Sequence, residues 1–357
     1  MRQSGYTKIR LRNNINRFLL LMLPLTMVYF SCKKEKTPEP VYVYNPTPYE
    51  LQKPDYFPNP EIPADNPLTK EGVELGRKLY YEPLLSKGGP NNGLSCSSCH
   101  FQSKGFMIPS KPFEDFGIVM PHINLAWSKN FLWNGKVSGT LEDIMMFEVK
   151  DFFQADMEYF KNQEDYKKLF YQAFGPGEIT SEKAAYALAQ FFRIMVSGDS
   201  PFDKFLKKEQ PLGSLEMMGF SIFNSEKGDC FHCHGMGLMT DNDFHNIGLN
   251  DVFLGGNMGR YNVTGNPADL GKFKTPTLRN VALRGIYMHD GRFTTLEEVV
   301  EHYNSGVMHS EYLDPIMTKS GKEYGLNLSP GEKAALVAFL KSLTDESFIN
   351  NPGLAKP

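Results

Sequence analysis

The chain has 357 residues, long enough for two domains and well beyond what one small core requires. Its 38 basic and 41 acidic residues leave a formal net charge of -3, so no basic excess is present to neutralise phosphates and a nucleic-acid partner is excluded. Of the five cysteines, four fall into two identical pairs and the fifth stands alone near the N-terminus.

The first segment carries Arg2, Lys8, Arg10, Arg12 and Arg17 without an acidic residue, and an apolar run from Phe18 to Phe30 follows. This predicts a signal peptide over residues 1–32, because the run is too short for a comfortable membrane span. It closes on Ser31-Cys32, an ending that resembles the lipobox of bacterial lipoproteins. The expectation is a lipid-modified Cys32 that anchors the mature protein to the periplasmic side of a bacterial membrane. Residues 33–66 have a proline every few positions and no period of 2 or 3.6, which predicts an extended Pro-rich tether.

Behind this segment the chain repeats itself. "GVELGRKLYYEPLLS", a helical pattern with a glycine inside it, precedes Cys96-Ser97-Ser98-Cys99-His100, and "SLEMMGFSIFNSEKG" precedes Cys230-Phe231-His232-Cys233-His234. The two pairs lie about one small domain apart, so two similar modules are the economical reading. Between them "EITSEKAAYALAQFFRIMVSG" predicts a helix with Ala184, Leu188, Phe191, Phe192 and Met195 on its apolar face, Thr180 or Ser181 as N-cap and Gly198 as terminator. Near the end, "LSPGEKAALVAFLKSLTDE" opens with a capping box from Ser329 to Glu332 and Pro330 at the first helical position. Leu336, Val337, Phe339, Leu340 and Leu343 supply its buried face. No sustained alternation marks a strand ladder, and the predicted fold is mostly α.

In Cys-x-x-Cys-His, two thiols add across the vinyl groups of a haem and the adjacent histidine binds its iron. Positions i, i+3 and i+4 share one face of a helical turn, so both sulfurs and the imidazole reach one porphyrin. A zinc ribbon would need both pairs to converge on one ion and leaves His100 and His234 unexplained. A thioredoxin-like redox pair needs a βαβ setting that the chain lacks. Two covalently bound c-type haems are therefore expected, held by Cys96 and Cys99 and by Cys230 and Cys233, with His100 and His234 on the irons. A strong ligand on the opposite face makes a haem an electron carrier, whereas an open face lets peroxide or oxygen bind.

Several stretches, in order, resemble the bacterial dihaem cytochrome c peroxidases and their relatives, the methylamine-utilisation dihaem enzymes. They are "GRKLYYEPLLS", "LSCSSCH", "INLAWSKNFLWNGKVSGTLED", "ITSEKAAYALAQFFRIMVSGDSPFDKF", "CFHCHGMGLMTDNDFHNIGL", "RYNVTGNPADLGKFKTPTLRNVALRGIYMHDGRFTTLEEVVEHYNSG" and "LSPGEKAALVAFLKSL". Together they span nearly everything from about Pro67 to Leu343. The resemblance implies two cytochrome c-like haem domains in tandem: 67–210 with the peroxidatic haem and 211–345 with the electron-transfer haem, leaving a tail at 346–357. It further implies that hydrogen peroxide is reduced to water at the first haem, with electrons entering the second from a small cytochrome c or cupredoxin.

By the same resemblance Trp133 relays electrons between the haems; the plainer reading is a core tryptophan. The sixth ligand of the second haem falls on Tyr303, where other peroxidases have methionine and the methylamine-utilisation enzymes have tyrosine, with Met288 as the alternative. Arg279 and Lys274 would pair with haem propionates, and His245 and His289 would stand near haem edges. His232, His302 and His309 read as structural or exposed.

The first haem departs from the family pattern. The glutamine and glutamate that act on peroxide fall here on Asp143 and Phe153, so the acid–base carboxylate must come from Glu148, Asp151 or Asp143, each of which also reads as an ordinary solvated carboxylate. Gly117-Ile118 replaces an Arg-Asn pair whose asparagine helps bind an interdomain calcium, which puts calcium in doubt. His122 stands where relatives often have an apolar residue, and reads either as a loop histidine or as a distal ligand or proton donor at the first haem. Two further readings stay open. One is a dihaem oxidase of an organic or protein substrate working through high-valent iron. The other is a dihaem electron carrier without catalysis.

Overall fold

The computed structural model describes residues 42–108, 110, 117–323 and 325–357. The leader with Cys32, and residues 33–41, lie outside the described residues. The tether was expected to run to residue 66, but residues 42–66 lie along the folded body. Tyr49 and Leu51 pack on the core, Phe57 is buried, and Trp127 Nε1 donates to the Pro58 carbonyl. Isolated aromatic side chains make these contacts, so no periodicity announces them.

Eleven α-helices are present among the described residues. The first five are α1 (Lys70–Tyr80), α2 (Leu141–Phe147), α3 (Met157–Lys161), α4 (Glu164–Phe174) and α5 (Ser181–Arg193). The others are α6 (Pro201–Leu206), α7 (Ser214–Phe223), α8 (Tyr261–Thr264), α9 (Leu296–Glu301), α10 (Pro330–Lys341) and α11 (Glu346–Ile349). Thr180 caps α5 by accepting from Lys183 N, and Ser329 and Glu332 form the predicted capping box of α10. Strands are confined to two antiparallel pairs, β1 (Asn130–Phe131) with β2 (Val137–Ser138) and β3 (Phe244–His245) with β4 (Phe273–Lys274).

The repeat seen in the sequence is a packing device. α1 crosses α5, and α7 crosses α10, each through a glycine. A Cβ at Gly76 would collide with the Ala187 carbonyl and Phe191, and one at Gly219 with the Ala335 carbonyl and Phe339. Only glycine permits so close an approach. Two cores result. Leu75, Leu79, Leu188, Phe191 and Phe192 belong to the first, and Phe202, Phe223, Leu336, Phe339 and Leu343 to the second. Each fully buried Leu or Phe stabilises the fold by about 1.5–3 kcal/mol. The C-terminal segment is more than a tail, since Phe348 and Leu354 are buried in the first core. The described chain forms one compact unit from Tyr42 to Pro357.

The halves share backbone details as well. Asn124 and Asn280 take φ values of 56° and 57°, Leu132 and Met288 of 64° and 68°, and Gly135 and Gly291 of 70° and 73°. Thr140 and Thr295 each cap the helix that follows with a capping box, to Asp143 and Glu298. Both helices, α2 and α9, then run into a π-helical turn, Glu148–Phe152 and His302–Gly306. Such turns recur at functional sites because the extra residue re-aims a side chain.

Candidate functional site

Each Cys-x-x-Cys-His segment forms a tight turn that ends by presenting its histidine to a cavity. The first cavity is lined by Cys96, Cys99, His100, Glu148, Phe153 and Phe192, and the second by Cys230, Cys233, His234, Met288, Tyr303 and Leu336, among others. His100 Nδ1 lies 2.8 Å from the Phe106 carbonyl, and His234 Nδ1 lies 3.1 Å from the Met239 carbonyl. A carbonyl only accepts, so Nδ1 carries the proton in both rings and Nε2 keeps its lone pair for a metal. Phe106 and Met239 hold those carbonyls in place with φ of 54° and 56°, a backbone region that costs a bulky residue energy. Burial pushes both imidazoles down to about 4, which keeps them neutral as ligands must be.

The two cysteine pairs are not brought together among the described residues, which removes the zinc-ribbon reading. The donor set fits one haem per cavity. One buried donor of a residue lining the second cavity, Arg284 Nε, has no hydrogen-bond partner in the protein and is suited to an anionic group such as a propionate. Arg279 was expected in that role and does not take it. Its guanidinium is fully buried and grips both oxygens of Asp203 and the Gly237 carbonyl. Arg284, which sequence reasoning passed over, is the arginine that lines the cavity.

A profile of the family of di-haem cytochrome c peroxidases matches residues 70–211. The methylamine utilization protein MauG of Methylorubrum extorquens is 34% identical over 312 residues, covering 83% of this chain and 84% of that protein. The chain belongs to the di-haem cytochrome c peroxidase family. It accordingly carries two covalently bound c-type haems. Cytochrome c551 peroxidase of Nitrosomonas europaea, another member, is 29% identical over 303 residues, 80% of this chain and 83% of that protein. The crystal structure of a MauG-like protein associated with microbial copper homeostasis superposes with a TM-score of 0.76 at 32% identity, over 87% of this chain and 99% of that one.

Between the two haem cavities of this di-haem protein, Trp133, Ile118, Pro121 and Lys274 line both. The indole is fixed by Nε1 donating to the Ile118 carbonyl at 2.7 Å. The turn that carries it approaches the C-terminal half so closely that a Cβ on Gly135 would strike Phe244 and Arg260.

On the remaining walls, Tyr303 and Met288 both face the second cavity. In the first, Glu148 is half-buried at the head of its π-helical turn, and burial lifts its carboxyl to about 7. Asp143 is committed to the α2 capping box, Asp151 is exposed, and Phe153 is buried in the core. His122 stacks on His100 with ring centroids 3.4 Å apart and planes 14° apart. Ligand nitrogens on opposite sides of a metal stand about 4 Å apart, with their rings farther still. His122 therefore sits beside the His100 ring and not opposite it, with Nδ1 3.2 Å from the Tyr80 hydroxyl. His245 faces the second cavity with both ring nitrogens taken, by Asp241 and Asp314, which raise it to about 12. His289 stacks on Phe273, and His302 is buried against the Ile247 carbonyl.

No helix among the described residues is long and apolar enough to cross a membrane.

Proposed function

We propose that this di-haem oxidoreductase reduces hydrogen peroxide at the cavity of His100, drawing electrons through the cavity of His234 from a small cytochrome c or cupredoxin. When bound, the first haem supplies the iron at which peroxide is reduced. The observation that carries the reading is the place of Glu148. It follows its capping threonine, Thr140, at the same distance along the chain as Tyr303 follows Thr295, and both reach a haem cavity from a π-helical turn. In the second half that position carries the ligand candidate; in the first it carries a carboxyl with a midpoint near neutrality. Such a group takes the proton from the inner peroxide oxygen and returns it to the outer one, as splitting of the O–O bond requires. The acid–base residue that the spacing from Trp133 placed at Phe153 is thus supplied by Glu148. Trp133 joins the two cavities as the relay.

Tyr303 and the MauG relatives favour a second reading, oxidation of an organic or protein substrate. The experiment is to reduce only the higher-potential haem, add stoichiometric peroxide in a stopped-flow spectrometer, and follow both Soret bands. Rapid reoxidation of the reduced haem supports peroxide reduction. A long-lived change discharged only by an organic or protein reductant supports the second reading. No reaction overturns both and leaves an electron carrier. The leader supports an exported protein held at the periplasmic face through Cys32, and a diacylglyceryl-cysteine at the mature N-terminus is the mass-spectrometric test.

A further inference from the structure

Lys274 closes β4 at the boundary of the two cavities and is 5% exposed. Its backbone N–H donates to the Trp133 carbonyl at 2.8 Å, tying it to the residue between the haems. Its ammonium donates to Asn242 Oδ1 at 2.9 Å and more weakly to the Thr275 carbonyl at 3.4 Å. Asn242 in turn gathers the first half, for its Oδ1 accepts from Ser128 Oγ and its carbonyl from Asn130 Nδ2. No carboxylate lies within ion-pair distance of Lys274 among the described residues. A neighbouring acid, Asp241, is occupied with His245. A buried cation supported only by neutral oxygens is unstable without an anion, and its desolvation pulls Lys274 down to about 8.

The family resemblance implies a calcium ion between the domains, held in part by an asparagine. Here that place is Ile118, which offers no side-chain oxygen and whose carbonyl accepts from Trp133 Nε1. The nearby oxygens of Asn242 and Thr275 are engaged by an ammonium. The donor set does not fit a divalent ion that needs 6–8 oxygens.

We propose that Lys274 is the resident cation between the two haems, its ammonium pairing with their propionate carboxylates in place of calcium. The inference rests on the chain binding two haems and is independent of which substrate it oxidises. A positive charge beside both propionates favours the ferrous state of both irons. In the purified dihaem protein, metal analysis shows no stoichiometric calcium, and EDTA leaves both midpoint potentials unchanged. Lys274→Met lowers both potentials, whereas Lys274→Arg, which keeps the charge, holds them near wild type. One calcium per chain whose removal shifts either potential overturns the proposal. So does a Lys274→Met protein in which neither potential, or only one, moves. Should Lys274→Met fail to take up haem, the wild-type metal content and the Lys274→Arg titration decide alone: a lowered potential at either haem in Lys274→Arg counts against it. Peroxide turnover enters none of these readouts, so they stand apart from the test of function.

Discussion

Arg279 and Asp203 form a two-pronged ion pair, with Nη1 and Nη2 at 2.7 and 2.8 Å from the two carboxylate oxygens and neither side chain exposed. Asp203 also caps α6 through Ser200 and accepts from Tyr56, so one carboxylate joins the 42–66 segment, α6 and the stretch after β4. Breaking a buried pair by removing one partner costs about 3–5 kcal/mol, since the other charge is left stranded. Asp203→Ala should lower the denaturation midpoint accordingly. Burial raises the Asp203 carboxyl, but hydrogen bonds and charge from Arg279, with Tyr56 and Ser200, more than offset this and hold it below its ordinary value. Its stabilisation is present above the unfolded value of about 3.9 and disappears as pH falls through the lower folded value. Thermal melts from pH 6 downward should converge for wild type and Asp203→Ala in acid; parallel curves would show that the pair does not carry this dependence.

His122→Ala tests which side of the first haem the second imidazole occupies. Because His122 lies against the His100 ring, its removal should leave the ligand set of the first haem unchanged in electron paramagnetic resonance. The variant should lose stability only modestly, through the vacated space and the lost contact to Tyr80. Conversion of a low-spin signal to high spin would place His122 on the iron after all.

The second haem gives the opposite expectation. Tyr303→Phe should change the low-spin spectrum and raise the potential, because a phenolate favours the ferric state more than a neutral ligand or water does. Met288→Leu should do neither. Met288 sits at the position matching Leu132, a residue that packs at the edge of the first core, and both carry the same left-handed backbone. A spectrum altered by Met288→Leu and untouched by Tyr303→Phe would exchange the assignments.

The acid–base role proposed for Glu148 predicts a pH dependence for the reaction with peroxide. Its carboxyl is raised to about 7 by burial, so the base form accumulates as pH rises through that value. The rate of reaction with peroxide should climb between about pH 6 and 8 in wild type. Glu148→Gln should be slower by roughly 10²–10⁴ and flat across that range, with both haem spectra preserved. A Glu148→Gln enzyme that keeps the wild-type rate and slope would remove the residue from the chemistry.

The attachment residues were legible because haem chemistry fixes their spacing, and the α5 and α10 caps because Thr180 and Ser329 carry their own hydrogen-bond logic. Glu148 was only one candidate of three. It lines the first cavity from the π-helical turn that follows α2, a break in helix geometry that no residue pattern announces. "GTLED" and "TTLEE", the starts of α2 and α9, align Glu148 with Tyr303 along the repeat. Arg279 and Arg284 lie in one irregular stretch, where Asn280 turns the backbone left-handed and no period says which guanidinium faces the cavity. Gln102 and Arg77 hold the backbone of the C-terminal segment by side-chain bonds, and contacts of that kind leave no pattern along the chain.

Trp133 is the residue whose role is most cleanly separable from structure. It lines both cavities, its Nε1 is bonded to the Ile118 carbonyl, and its own carbonyl receives the Lys274 N–H. Trp133→Phe retains an aromatic ring and the backbone bond while losing the indole N–H and the more readily oxidised ring. Stability should fall by about 1–3 kcal/mol from the unmet Ile118 carbonyl and the smaller ring. Both haem spectra and both potentials should persist, since no ligand is touched. Electron transfer from the second haem to the first, followed after a laser flash or peroxide mixing, should slow at least tenfold if the indole is a relay. A rate unchanged in a folded, fully haem-loaded variant would reduce Trp133 to a packing residue, and electrons would then pass between the cavities without it.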